Sequence, residues 1–343
     1  MSKRDVRRRT GAEAMRVAKW DNAKFILIYC VVLGHLAAAF DVNSGLLDGL
    51  HTFIYLFHMP AFLFLSGLLS KRSIGEGRVD KAMTYLVLYL FMKLFRFLVY
   101  GFILHKNAGF HLFEEDGVPW FALVLFFSYV LTMAIRSWKC SYALAVFVCL
   151  GMLAGYDAQL GSFLSAMRLL TFYPFFLAGY YWDTEKLAGL LRRRSIRAAS
   201  ALLLLAVLVI CLYRPDFISA GFLKGKNSYE ALGLLPFGGI CRGIYYVVAM
   251  LLIVAVLAVA PEGKSVFSKW GKRSIQVYAL HFPLIKVLTD RFGIEELCRG
   301  IWPQHYAVFV PVLALLLTVF LSLGIWEPFF NLLMNPEKPK QAA

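Results

Sequence analysis

The chain has 343 residues, 60% of them hydrophobic and only 17% charged, with a mean hydropathy of +0.66; a soluble domain carries about a quarter charged residues. Its charges are missing from whole runs of membrane-crossing length, which excludes an ordinary soluble fold. The formal net charge of +15 raises nucleic acid as a partner, but the placement of the basic residues argues against it. The first twenty residues, MSKRDVRRRTGAEAMRVAKW, are basic and polar. The apolar run after them lacks a small-residue cleavage site, so it reads as a retained helix rather than a signal peptide.

Ten apolar segments follow, near 22–40, 52–70, 82–104, 120–135, 141–156, 165–182, 197–213, 233–259, 274–290 and 303–325. The fold expected is all-α and polytopic, with about ten transmembrane helices and both termini inside. A basic N-terminal tail (1–21), a transmembrane domain (22–327) and a C-terminal tail (328–343) divide the chain. Segments four and five are short and read either as one interrupted hairpin or as a pair with buried ends. The Gly/Pro-rich stretch ALGLLPFGGICRG suggests a short re-entrant or interfacial piece before the eighth span. Residues 183–197, DTEKLAGLLRRRSIR, read as an amphipathic surface helix or as a basic loop.

Lys and Arg test this topology. The inside segments hold twenty-four and the outside loops six, with the remaining six in or at the edges of spans. That asymmetry is the positive-inside signature, and it accounts for the net charge through topology and contact with anionic lipid. No nucleic-acid partner is required, and membrane lipids are the expected surroundings. Six cysteines show no metal-ligand spacing and behave as small hydrophobes. No metal is expected.

Ionisable groups inside spans are costly and mark candidate sites. In the first span Lys24 and His35 are eleven residues apart, about three helical turns and roughly 16 Å along one face. Either group alone also fits a bland role, a snorkelling helix-end lysine or a packing histidine. The second span carries His58, then Pro60, which can free a carbonyl and kink the helix, then Ser66 and Gly67, a small surface for close packing. His51 reads as an interfacial residue. The third span sets Lys93 and Arg96 on one face, where two cations repel unless an anion lies between them. Arg168 and Arg242 fall near the outer face, placed either to snorkel or to hold a polar substrate. In the ninth span His281 sits near mid-depth with Pro283 after it and Tyr278 one turn before. Tyr173, Tyr180 and Tyr181 suit a sugar platform or the aromatic belt common at membrane interfaces.

These phrases, in this order, resemble the acyltransferase-3 group of integral membrane O-acetyltransferases, most closely its fucose 4-O-acetylase-like branch. WDNAKFILIYCVVLGH resembles the opening Asp-x-x-Arg/Lys and distant histidine of that family, here Asp21, Lys24 and His35. FHMPAFLFLSGLL resembles its second-helix phrase and Lys93-x-x-Arg96 its third-helix Arg-x-x-Arg. YPFFLAGYY and YALHFPL resemble its sixth- and ninth-helix phrases. Lysine replaces the common arginine at Lys24 and Lys93, which removes a planar bidentate contact. The esterase-like domain attached to some members has no counterpart here.

The resemblance implies transfer of an acetyl group from acetyl-CoA to a hydroxyl of a sugar or glycan at the cell membrane. Under it, Lys93 and Arg96 hold the CoA phosphates. His35 acts as general base, or carries the acetyl group briefly. His58, Lys24 and His281 assist, while Asp21, Arg168, Arg242 and Tyr278 contact the substrate. His35 and His58 lie toward the outer side although acetyl-CoA is cytoplasmic, so either the channel is deep or, the reading preferred, the acyl group passes across the membrane while the acceptor binds outside. A transporter or flippase for an anionic or lipid-linked sugar is the rival that buried cations and proline-broken spans also allow. Oligomeric state is open.

Overall fold

A computed structural model describes residues 3–40, 44–106, 109–114, 117–161 and 163–334, with side chains from Ala18 onward. The described residues form an α-helical bundle with no strand, apart from one isolated bridge between Glu114 and Phe163. The chain opens on α1 (Lys3–Ala39), so the basic leader and the first span are one continuous helix.

The second apolar run forms two helices, α2 (Gly45–Tyr55) and α3 (His58–Gly75), and Pro60 explains the break between them. In the first turn of α3 its ring would collide with the carbonyl of Leu56, four residues back, and it offers no N–H to that carbonyl. The third run is α4 (Val79–Leu98), ending in a π turn at Val99–Ile103. Then come α5 (Trp120–Ala134), α6 (Cys140–Leu153) and α7 (Ala166–Tyr181).

The basic segment 183–197 resolves into a surface helix, α8 (Thr184–Leu191), and the start of α9 (Arg194–Tyr213). Asp183 caps α8, its carboxylate accepting from the N–H groups of Glu185 and Lys186, while Leu187 and Leu191 turn inward. A five-residue turn of helix, α10 (Ala220–Lys224), precedes α11 (Gly238–Val259). The chain then runs through α12 (Val266–Lys272), α13 (Ser274–Asp290), α14 (Ile294–Ile301) and α15 (Phe309–Leu321) to α16 (Glu327–Met334). The start of the expected C-terminal tail is therefore helical and docked, with Phe329 5.2 Å from Phe91 of α4 and Phe330 buried. Residues 335–343 lie outside the described residues.

Five helical stretches are long and apolar enough to cross a membrane: Ala18–Ala39, Gly45–Gly75, Val79–Ile103, Arg194–Tyr213 and Gly238–Val259. A sixth is Tyr306–Leu321 with Gly324–Met334, bent by 43°. The other expected spans correspond to α5, α6, α7 and α13, each 14–17 residues long and thus short for a full crossing. The expected segments four and five are two separate helices, and the stretch 231–237 is non-helical chain leading into α11.

Two ends of the bundle are distinct. One gathers the basic turns: Lys19 and Arg192 both reach Glu262, at 3.3 and 3.7 Å, and Asn22 donates to the carbonyls of Pro261 and Gly263. The other gathers the loops 104–119, 157–165 and 214–237, tied by a Lys106–Asp290 ion pair of 2.6 Å and by Thr52 donating to Pro215. We call these the basic end and the opposite end. Two glycines weld α3 to α7. A Cβ on Gly67 would strike the Phe176 carbonyl, and one on Gly179 would strike the Phe64 carbonyl, so the backbones touch at both points. The small surface at Ser66–Gly67 has that use.

Candidate active site

Two cavities enter the bundle from its two ends and meet at its middle. That on the opposite side, about 310 Å³, is lined by His35, His58, Tyr55, Arg168, Lys224 and Lys286 among others. That on the basic side, about 320 Å³, is more apolar and is lined by Lys24, Ser66, Ser70, Lys81, Tyr85 and Lys272 among others. Val31, Met59 and Tyr278 line both, so three side chains make the wall between them.

Two of the span histidines, His35 and His58, line the opposite cavity beside that wall, and His281 packs behind them. The ring of His35 lies 5.2 Å from that of His281 and 6.5 Å from that of Tyr55, which in turn lies 4.7 Å from His58. Local helix chemistry fixes two of the three. At the α2–α3 break the carbonyl of Ile54 accepts from His58 Nδ1 at 2.8 Å. In α13 the carbonyls of Tyr278 and Val277 accept from His281 Nδ1 at 2.8 and 3.1 Å. A carbonyl can only accept, so Nδ1 carries the proton in both rings and Nε2 is left with its lone pair. His281 is fully buried, and its Nε2 has no hydrogen-bond partner among the described residues. A buried acceptor left bare, in a ring 5.2 Å from the cavity-lining His35, calls for a reason beyond packing.

The other expected site residues divide into two groups. Tyr278 is in the wall and donates its hydroxyl to the Val118 carbonyl at 2.5 Å. Arg168 lines the opposite cavity, 5% exposed, with its guanidinium 5.0 Å from the centre of the Trp120 ring. Lys24 lines the basic-side cavity and pairs with Asp21 at 2.7 Å. Asp21 is pinned because Gly271 of α12 packs directly against its backbone. Asp21 thus holds Lys24 rather than facing either cavity.

Lys93, Arg96 and Arg242 line neither cavity. Lys93 donates to the Glu114 carbonyl at 2.8 Å, and Arg96 lies over Tyr100, 5.4 Å from the ring centre. Lys93 thus holds the segment before α5, while Arg96 stays on the π turn that ends α4. Arg242 donates to the Phe222 carbonyl at 3.0 Å with its guanidinium 3.8 Å from the Phe222 ring, so it braces α10 from behind. Tyr173 is wholly buried and bonds Thr132 at 2.9 Å; it is a packing residue, not a platform. His51 stacks on Tyr55 at 3.9 Å.

Sequence reasoning missed Lys81, Lys272, Lys224 and Lys226, which all line the cavities. In the sequence each reads only as a loop charge. For the second pair a signal was present: basic residues on the outer side run against the positive-inside bias and call for a separate reason.

No residue cluster suited to a metal ion occurs among the described residues. No curated protein and no solved structure matches the chain. A family model described as an acyltransferase domain matches residues 17–327, nearly the whole sequence. The chain therefore belongs to the acyltransferase-3 family and is a membrane acyltransferase.

Proposed function

We propose that this protein moves an acetyl group from acetyl-CoA, bound in the basic-side cavity, to a hydroxyl of a sugar or glycan bound in the opposite cavity. The observation that carries the reading is the shared wall of Val31, Met59 and Tyr278, with His35 and His281 beside it. Two substrates entering from opposite ends then meet without either crossing. In this reading the chain lies in the cell membrane with both termini in the cytoplasm, and the basic end faces the compartment where acetyl-CoA is made.

Each residue then has a task. Lys24, Lys81 and Lys272, which line the basic-side cavity, meet the CoA phosphates in place of Lys93 and Arg96. Its apolar walls suit the pantetheine arm. His35 takes the proton of the acceptor hydroxyl as that oxygen attacks the thioester carbonyl. The C–O bond forms, the C–S bond breaks, and the proton passes to the CoA sulfur, so the products are the ester and free CoA. His281 and His58, each locked in one tautomer, hold the geometry around His35 and the thioester carbonyl.

The test is acetyl release from radiolabelled acetyl-CoA by the purified protein in detergent, with candidate sugars present, compared with His35→Ala. Turnover by the wild type and a loss of about 10²–10⁴-fold in a folded His35→Ala variant are expected. Equal activity in both would remove His35 from the chemistry. Absence of turnover by either would refute acetyl transfer and favour transport.

A further inference from the structure

The basic end holds a third cavity, about 520 Å³, lined from α4, α12, α13 and α16. Lys81, Tyr85, Lys272 and Ile275 line both it and the basic-side cavity, so the two are compartments of one passage. Only the basic-side cavity reaches Val31, Met59 and Tyr278, so the third cavity is the outer compartment. The chemistry changes along the passage. The inner compartment adds Ile28, Phe62, Leu65 and Leu88 to the shared lining. The outer one adds Lys269, Arg273, Gln276 and Asn331, with Phe330 and Met334 as its apolar part.

The outer compartment carries a surplus of positive charge. Glu327 is the one acid that lines it among the described residues, and it is paired with Arg273 at 2.7 Å. The ammonium groups of Lys81, Lys269 and Lys272 have no hydrogen bond or ion pair among the described residues. Asp80, next to Lys81 in the chain, is held by Arg78 at 2.7 Å. The terminal stretches add to the surplus: 1–17 holds six Lys and Arg against two acids, and 335–343 two against one. Basic residues at this end are expected from topology alone. These three differ in lining one cleft that opens into the donor cavity. Helix α16 is fastened over that cleft: Phe330 is buried, Thr84 donates to the Met334 carbonyl at 3.4 Å, and Arg273 bonds the Ser322 carbonyl as well as Glu327.

We propose that this cleft is a nucleotide subsite. It binds the 3′-phosphorylated adenosine diphosphate half of the acyl donor, with the diphosphate at Lys81 and Lys272 and the 3′-phosphate at Lys269. The assignment follows the order of groups along coenzyme A. The diphosphate comes directly after the pantetheine arm, and the 3′-phosphate lies beyond it on the ribose. The two lysines that line both compartments stand at the joint, and Lys269, which lines only the outer one, stands beyond it. An ammonium is a compact point charge that meets phosphate without a fixed planar geometry. Asn331 adds a side-chain amide that can donate and accept. A thioester without the nucleotide would leave all three ammonium groups bare. The inference rests on the acyl-transfer reading for the word donor, whereas the phosphate site stands on the cleft alone.

Two measurements test it. In the first, thermal unfolding of the full chain in detergent with phosphatidylcholine is followed while adenosine 3′,5′-bisphosphate, AMP or adenosine is titrated. Phosphatidylglycerol is titrated in a parallel series. Saturable stabilisation by the bisphosphate is expected, with AMP about tenfold weaker and adenosine without effect. Lys269→Gln should bring the bisphosphate down to the level of AMP. Lys264→Gln, which removes a lysine of the same end that lines neither compartment, should change nothing. No stabilisation by the bisphosphate, or its full survival in Lys269→Gln, overturns the proposal. Stabilisation by phosphatidylglycerol in its place, lost in Lys269→Gln, would give the cleft to a lipid phosphate and overturn it equally. In the second, KM is compared for acetyl-CoA and its 3′-dephospho analogue. The wild type should favour acetyl-CoA by about tenfold or more, and the ratio should fall toward one in Lys269→Gln with kcat little changed. Equal KM values in the wild type overturn the 3′-phosphate assignment. Bisphosphate binding without acetyl-CoA turnover would overturn the acyl-transfer reading alone, and turnover without bisphosphate binding would overturn this proposal alone.

Discussion

Replacing Gly179 by alanine is expected to separate two helices that both contribute to the candidate active site. The added Cβ would lie 2.8 Å from the carbonyl carbon of Phe64 and 3.0 Å from the Leu68 nitrogen, with the Phe64 oxygen closer still. These are backbone atoms inside α3, so no rotamer change relieves the contact and α7 must move away. Forcing one methyl into a packed interface costs about 1–3 kcal/mol, and a collision with main chain belongs at the upper limit. For a chain of this size that means a melting temperature lower by about 3–4 °C. Gly67→Ala meets Phe176 and Tyr180 in the mirror arrangement and should cost about as much. The double variant should cost clearly less than the sum, because one displacement relieves both collisions. Gly189→Ala in α8, where a Cβ meets nothing within 4 Å, is the control and should be neutral or stabilising by up to about 1 kcal/mol. The assay is thermal unfolding in detergent, with acetyl transfer measured alongside because α3 carries His58 and α7 carries Arg168. A Gly179→Ala protein that melts at the wild-type temperature would refute close backbone contact as the link between the two helices.

Two further outcomes are expected. Lys81→Gln with Lys272→Gln should raise KM for acetyl-CoA about tenfold or more while kcat changes little, since they bind a part of the donor remote from the reacting bond; unchanged KM would move the phosphates elsewhere. Tyr278→Ala opens the wall between the cavities, so acetyl-CoA hydrolysis without acceptor should rise relative to transfer, as followed by free CoA.

The membrane fold was legible because apolar length and basic loops are local properties of sequence. His35, His58, His281 and Tyr278 were legible for a related reason: a polar group in a span needs justification wherever the span lies. What could not be read was direction. Lys93 and Arg96 share one helical face as expected, but which loop that face meets depends on where the 104–119 segment folds back. Arg168 and Arg242 looked equivalent in sequence, each a cation near the same end. One lines the cavity and the other braces α10 from behind, because α7 and α11 turn different faces toward the centre. Lys224 and Lys226 were invisible because a loop has no periodicity, and only Gly225 pressed against α7 turns them inward.

The three-residue wall has an electrical meaning as well as a chemical one. A bilayer's potential falls across whatever is not water, and two cavities that penetrate from both ends leave little else. The field is therefore concentrated on Val31, Met59 and Tyr278. A charge carried over the full potential gains or loses about 2.3 kcal/mol per 100 mV. A proton passing from the hydroxyl side to the thiolate side is matched by an acyl group passing the other way, so the overall transfer carries no net charge. The voltage would act on the charge separated in the transition state, and so on the rate rather than on the equilibrium.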